Sequence, residues 1–510
     1  MTLEDISEFG NWLRQQNFLK VECLKLKITG CEQLINLRQL NETFLERQPQ
    51  GLQSFISITE LRIENCSNLI SFPDVCFLIN LSTLEIINCD ALTSLSKGMN
   101  DKNACLGSLK MEDCNSLTFI VRGKLPSSLK KLHIENCEKL EYLWGDNEES
   151  CTSVVDEENP NNTNTSLLEY LNVKKCPSLK CLSYSGHLPQ TLRTLSLDFL
   201  PDLESIAESY HNNKSLEEIS VRHCKNLKSV FLQGLHNLSL LRKIEIYECE
   251  SIDCLGEEGP PNTYLSEVAI VCCEKLKALP NWFHGLNSLK SLTLTACPSM
   301  TSFSAEGFPT SLTSLSVEGL NVKMYKAVLE WGLHNLTSLT SLEILGHPEA
   351  ESFPHQELEM TFPPSLTHLN IWNFPNLKCL MGEGFRNLNS LETLKINGSP
   401  ILTSFPDLAL PSSLKSLSIS SCLNLKSFSK VGLPSSLLKL GIWFCPEVRS
   451  FPEQGLPSSL LELFIYECPK LKEECKRDKG NEWSKISHIP CVRIDCRYIY
   501  DPEEESEEEE

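Results

Sequence analysis

The chain has 510 residues, too many for one ordinary compact core, so several domains or one repeat array are the options. Its composition, 41% hydrophobic and 22% charged, is that of a folded protein, and a net charge of −21 argues against a nucleic-acid-binding face, which needs a basic stripe. No stretch approaches about 18 uninterrupted apolar residues, so no membrane-spanning helix is expected.

The opening MTLEDISEFGNWL has neither a basic nor an apolar segment of a secretory signal. The 24 cysteines are therefore read as reduced thiols and the cytosol as the expected compartment. Leu3-Glu4-Asp5-Ile6 reads as the end of a strand whose first half is missing, so residues 1–22 are expected to be the remnant of a truncated repeat.

From 23 to 471 one pattern recurs about eighteen times, L-x-x-L-x-I-x-x-C-x-x-L-x-x-F-P. It is clear at Leu437, Leu440, Ile442, Cys445, Val448, Phe451 and Pro452, and again far upstream from Ile58 to Pro73. Most steps are 23 to 25 residues; longer ones fall between Cys31 and Cys66, between Cys137 and Cys176, and around His347 and Phe374. Alternation such as Leu440-Gly441-Ile442 predicts a short strand with one buried face. One coil cannot offset its own ordering entropy, so the coils must stack in parallel.

Pro126, Pro309, Pro411, Pro434 and Pro457 precede strands, and Pro73, Pro354, Pro406 and Pro452 follow the Phe. They predict a return path of turns and extended runs with few helices. The ninth position is usually Cys, becoming Leu200, Leu320, His347, Phe374 or Ser399 elsewhere, and predicts a small buried side chain with a weak S–H donor. Residues 145–166, GDNEESCTSVVDEENPNNTNTS, read as a disordered acidic insertion, 472–496 as a C-terminal cap, and 497–510, ending DPEEESEEEE, as an acidic disordered tail.

No C-x-x-C metal motif, glycine-rich phosphate loop, H-E-x-x-H or nucleophile motif occurs, so no catalytic, cofactor or metal site is expected. Scattered histidines such as His133, His223, His347 and His368 do not change that.

SFPEQGLPSSLLELFIYECPKL (450–471), SFPDLALPSSLKSLSISSCLNL (404–425) and EWSKISHIPCVRID (482–495) resemble the leucine-rich-repeat region of plant coiled-coil-type nucleotide-binding leucine-rich-repeat disease-resistance proteins. The resemblance implies an α/β fold: a curved right-handed solenoid with a parallel sheet on its concave face and a mostly irregular, extended convex side. It implies protein partners, namely a pathogen effector or guarded host protein and the N-terminal switch domains of a full-length receptor. No G-x-x-x-x-G-K-[ST] occurs, so nucleotide binding is not carried over, and the chain reads as an N-terminally truncated receptor. A substrate-recognition adaptor of a ubiquitin ligase, of the F-box type, is the alternative, and a secreted or cell-surface receptor a third.

Residues flanking each strand's buried Ile should face outward. Early coils offer mixed charge (Arg62 and Glu64, Lys110 and Glu112, His133 and Glu135), and middle coils small groups (Ala269 and Val271, Thr293 and Thr295, Ser316). Late coils turn aromatic. The candidate protein-binding residues are Trp372, Trp443, Phe464, Tyr466, Tyr247, Asn370 and Lys395. The competing reading is that each aromatic covers a neighbour's aliphatic stem or packs on the cap. Gly441, replaced by Phe464 one repeat later, is likewise expected on the outward face.

Overall fold

The computed structural model describes residues 2–3, 24–35, 58–72, 80–95, 105–145 and 166–500, apart from short interruptions. It divides into two compact units, Met1–Trp282 and Phe283–Glu510.

In the first unit the strands Leu24–Thr29, Ile58–Glu64, Thr83–Ile87, Ser108–Glu112, Lys131–Glu135, Tyr170–Lys174, Thr194–Asp198, Glu218–Arg222, Lys243–Tyr247 and Glu267–Val271 pair in parallel, each with the next. The register is set by two aliphatic rows, Leu61–Leu84–Leu109–Leu132 and Ile63–Ile86–Met111–Ile134, all buried. A one-residue slip would turn both rows to solvent, so the alternation read from the sequence fixes the pairing. Thr2–Leu3 adds to Lys27 and Ile28, while the rest of the expected repeat remnant lies outside the described residues. Lys131–Glu135 pairs directly with Tyr170–Lys174, so the long step between them is accommodated off the sheet. The expected insertion lies outside the described residues from 146 to 165; Gly145 instead pairs with Arg122 in a short return-side strand.

The second unit repeats the plan from Ser291–Thr295 through Ser314–Glu318, Ser341–Leu345, His368–Trp372, Thr393–Asn397, Ser416–Ser420, Lys439–Trp443 and Glu462–Tyr466. Both units have the architecture of a leucine-rich-repeat solenoid, with parallel strands on one side and turns and few helices on the other.

The corner after each strand explains the cysteine. The residue that ends the strand is followed by one in the left-handed region, held by Asn65, Asn88, Asp113, Asn136, Asn373 and Gly398 among others. Its N–H reaches the last carbonyl of the next strand, as Asn65 does to Ile87 at 3.0 Å. The buried Cys then donates its S–H back to the strand's last carbonyl, Cys176 to Lys174 and Cys445 to Trp443 at 3.2 Å. Its own carbonyl accepts from the N–H three residues on, as Leu69 shows at 3.2 Å. Sulfur thus fills the corner and weakly satisfies a buried carbonyl. At the same position Ser399 is fully buried and its hydroxyl has no partner. None of the described cysteines is in a disulfide.

The Pro-Ser-Ser linkers also have a bonding role that composition does not reveal. Leu437 N–H closes a turn on the Pro434 carbonyl at 3.0 Å, and Ser436 Oγ donates to the Leu414 carbonyl of the preceding coil at 2.7 Å. Ser128, Ser311, Ser413 and Ser459 make the same coil-to-coil bond.

Among the described return segments one forms an α-helix, Val322–Glu330, and no expectation placed a helix there. It lacks proline, and Met324 and Val328, one turn apart, are both buried. The cap follows Pro469–Glu474 and Trp483–Ile486, adds Cys491–Ile494 in parallel to Glu462–Ile465, and ends in an antiparallel strand Arg497–Tyr498. Buried Glu482 accepts the Phe451 N–H at 2.8 Å and pairs with Lys485 at 3.0 Å. Tyr500 donates to the Ile489 carbonyl, so 497–500 belong to the cap rather than to the tail; 501–510 lie outside the described residues.

Candidate functional site

Three outward positions per strand alternate with the two buried rows. In the first unit these positions pair their charges across strands. Lys25 meets Glu60 and Lys27 meets Glu64, both at 2.8 Å, and Arg62 meets Glu85 at 2.8 Å. Around Glu245 the pairing is densest: Lys243 and Arg222 each lie 2.9 Å away and Ser220 Oγ donates at 3.0 Å. Burial alone would raise the Glu245 carboxyl, but these three partners outweigh it and hold it below the ordinary range. Tyr247 lies beneath the Arg222 guanidinium, 4.7 Å from ring centre, so here the aromatic does cover a neighbour's side chain. His223 is stacked on Phe199 at 4.0 Å and bonded to Asp198 at 2.8 Å. Exposed pairs of this kind contribute about 0–1 kcal/mol each, and they leave few charges seeking a partner.

In the second unit the outward rows carry fewer charges, Glu318, Glu343, Lys395, Lys439 and Glu462, and turn aromatic in the last strands. Asn370 and Trp372 are half-buried on one strand, Lys395 is exposed on the next, and Ser416, Ser418 and Ser420 occupy the three outward positions of the strand after that. Trp443, Phe464 and Tyr466 follow on two adjacent strands. The structure brings these three together and sets Trp372 three strands from Trp443, through Asn397 and Ser420. Tyr247 belongs to the other unit and is not part of this group.

The aromatics are held in different ways. Lys439 Nζ sits over Phe464, 4.8 Å from its centre, and also pairs with Glu462 at 3.0 Å. Tyr466 meets Phe444 edge to face at 5.4 Å. The Trp443 ring folds back along its own strand over Gly441: a Cβ at 441 would lie 1.8 Å from the ring. Gly441 keeps its place in the outward row, in register with Ser418 and Phe464, but is buried beneath Trp443. The Trp372 indole N–H is buried without an acceptor.

Sequence reasoning missed Phe444. It stands at the left-handed corner, φ 51°, as Phe199 does in the first unit, and is 47% exposed. A bulky residue there costs roughly 1–2 kcal/mol of backbone strain for a ring that is about half exposed. The signal was available: an aromatic at a corner position that most coils give to small or polar residues.

Among the described residues no cluster of three or more His, Cys, Asp or Glu side chains could hold a metal, and no helix is long and apolar enough to cross a membrane.

The repeat geometry defines the class, a leucine-rich-repeat solenoid, and the chain's relatives by sequence lie among Arabidopsis thaliana disease-resistance proteins. It is 31% identical over 354 residues to the protein At3g14460, named for disease resistance, covering 69% of this chain and 22% of that one. It is 25% identical over 384 residues to disease resistance protein RPP4, covering 74% and 30%. The chain thus spans less than a third of the length of either relative. No family model matches it. Among solved structures it is similar to a Leptospira interrogans leucine-rich-repeat protein, at 15% identity and a TM-score of 0.40, covering 78% and 94% of the two chains.

Proposed function

We propose that this chain is the recognition region of a plant disease-resistance receptor, and that it binds a pathogen effector or a guarded host protein through the outward sheet face between residues 368 and 466. The observation that carries this is the contrast between the two sets of outward rows. Charges in the first unit are paired with one another, whereas the second unit presents Trp443, Phe464, Tyr466 and the strained, exposed Phe444 together. Aromatics clustered on an exposed face are the usual anchors of protein interfaces.

The sequence relatives support the immune setting, and the G-L-P-S-S linkers support the coiled-coil class of receptor. In this reading the compartment is the cytosol and the second partner is the switch region of a full-length receptor.

The test is co-purification from pathogen-challenged plant tissue, with quantitative mass spectrometry, comparing the chain with a Trp443→Ala, Phe444→Asn double variant. Loss of most of one enriched protein is expected. Recovery of every enriched protein at unchanged yield, with the variant's circular dichroism intact, overturns the proposal.

A further inference from the structure

In the first unit the middle outward residue of each strand, from Arg62 through His133, Ser196 and Ser220 to Ala269, is partly exposed, with one exception. Asn172, at the middle of Tyr170–Lys174, is only 6% exposed. Its Nδ2 donates to the Tyr170 hydroxyl at 3.0 Å, while its Oδ1 is enclosed and has no partner among the described residues. Tyr170 stands two positions earlier on the same face, so this bond lays its ring along the strand toward the amide. A buried acceptor without a donor is destabilising and rare in folded proteins, so this one marks a place where a partner group belongs.

The two side chains together specify the chemistry of that group. They present one acceptor, Asn172 Oδ1, and one donor, the Tyr170 O–H, whose hydrogen has no acceptor among the described residues. Turning the Asn172 amide over exchanges the roles: Tyr170 donates to Oδ1, Nδ2 becomes the free donor and the phenol oxygen the free acceptor. In either arrangement the complement carries a donor and an acceptor side by side. A side-chain carboxamide does; a carboxylate has no donor and an ammonium no acceptor. A trans peptide group has both, but its N–H and C=O point in opposite directions.

The surroundings favour a neutral occupant. His133 and Ser196 flank Asn172 in register on the two neighbouring strands. Burial, and then the Lys110 ammonium, hold the His133 imidazole below its ordinary range, so it stands neutral near neutral pH. In the next outward row Glu135, Lys174 and Asp198 alternate in sign. In the row before, Lys131 is exposed and its charge is screened by water. An ion brought against Asn172 would lose its hydration with no net counter-charge beside it, whereas an amide exchanges one set of hydrogen bonds for another.

We infer that Asn172 and Tyr170 form a binding point for one side-chain carboxamide, an asparagine or glutamine, of a protein partner, with the Tyr170 ring turning aside to bond the incoming group. The point lies in the unit that the recognition surface proposed above does not use, and it stands independently of that reading.

The test is a depleted selection. A random-peptide display library is first exposed to the full chain carrying Asn172→Leu, and the peptides left unbound are then selected on the unaltered chain. Winners sharing one Asn or Gln are expected. Changing that residue to Glu or Lys should weaken their binding by at least about tenfold, and Tyr170→Phe, which keeps the ring and removes the hydroxyl, should weaken it severalfold. Hydrogen exchange supplies a readout that a structural asparagine would move the other way. Asn172→Leu removes a buried acceptor that has no donor, so the Tyr170–Lys174 amides should exchange about fivefold more slowly or better.

Winners whose shared residue is acidic or basic, or that share none, overturn the inference. So does the absence of any winner after depletion, which leaves water as the only partner of Asn172, and so does indifference of the winners to Tyr170→Phe. Faster exchange of the Tyr170–Lys174 amides in the Asn172→Leu chain overturns it too, since the asparagine then serves the fold. The variants used here lie in the first unit and those that test the recognition surface in the second, so either proposal can fail alone.

Discussion

Replacing Gly441 by alanine tests the placement of Trp443 more sharply than removing the tryptophan itself. A Cβ at 441 would sit 1.8 Å from Cη2 and 2.2 Å from Cζ3 of the indole. Ordinary contact begins near 3.4 Å, so the ring must withdraw by roughly 1.5 Å or more. Overpacking of this sort costs about 1–3 kcal/mol. Against it stands the gain from Gly→Ala in a strand, about 0.5–1 kcal/mol. Gly441→Ala alone should therefore destabilise its coil by about 1–2 kcal/mol. In a Trp443→Ala background the obstruction is gone and the same change should stabilise by about 0.5–1 kcal/mol, a coupling of about 2 kcal/mol between the sites. Repeat arrays do not unfold in a single step, so the assay is native-state hydrogen exchange at the Lys439–Trp443 amides, which reads the local opening energy. Equal effects of Gly441→Ala in the two backgrounds would refute the folded-back ring.

Three further outcomes are expected. Ser399→Cys should stabilise its coil by about 1–2 kcal/mol, because a hydroxyl without a partner is replaced by the thiol that the next corner uses at Cys422; greater exchange of the Thr393–Asn397 amides would contradict this. Under native conditions Cys105, Cys254, Cys379 and Cys496 should react with a thiol reagent, and the corner cysteines only after denaturant; burial and the nearby Glu482 and Glu474 push Cys475 up to about 12, so it too should stay silent. Corner thiols that remain unreactive in denaturant until reductant is added would reveal disulfides. For Glu245, the folded carboxyl titrates below its unfolded value near 4.5, so its contribution is fully present above that pH and is lost as pH falls through the depressed value. Protection of the Lys243–Tyr247 amides should accordingly exceed that of Glu245→Gln at pH 6, with the gap closing on acidification; a gap that does not change with pH would rule the pairing out.

The stacking of the coils was legible because two physical signals coincide in each repeat. The alternation of Leu440, Gly441 and Ile442 specifies which face is buried, and a slip of one residue would expose both rows. The cysteine corner was legible only in part. Its small size and burial follow from position, but its bond to the carbonyl two residues back depends on the left-handed residue between them, which has no fixed identity. Ser436 and its equivalents were read as linker composition, since their bonds run to a coil about twenty residues earlier that local pattern does not reach. The helix at 322–330 replaced an extended return where proline is absent and Met324 and Val328 line up on one face.

At the candidate surface, alternation placed Trp372, Trp443, Phe464 and Tyr466 on the outward face, and register decided which of them meet. What alternation could not give is how a side chain turns once it is outside. Tyr247 and Phe464 lie under cations, and Trp443 lies over the glycine of its own strand. Phe444 escaped notice because corner positions belong to neither alternating row.

The central claim is that the outward face of the repeats from 368 to 466 is the recognition surface, and hydroxyl-radical footprinting of the captured complex tests it most directly. On partner binding, oxidation of Trp443, Phe444, Phe464 and Tyr466 should fall severalfold, with Tyr247 and the return-side Pro434 and Pro457 unchanged. Protection of the return-side residues, with the four aromatics oxidised as in the free chain, would contradict the account.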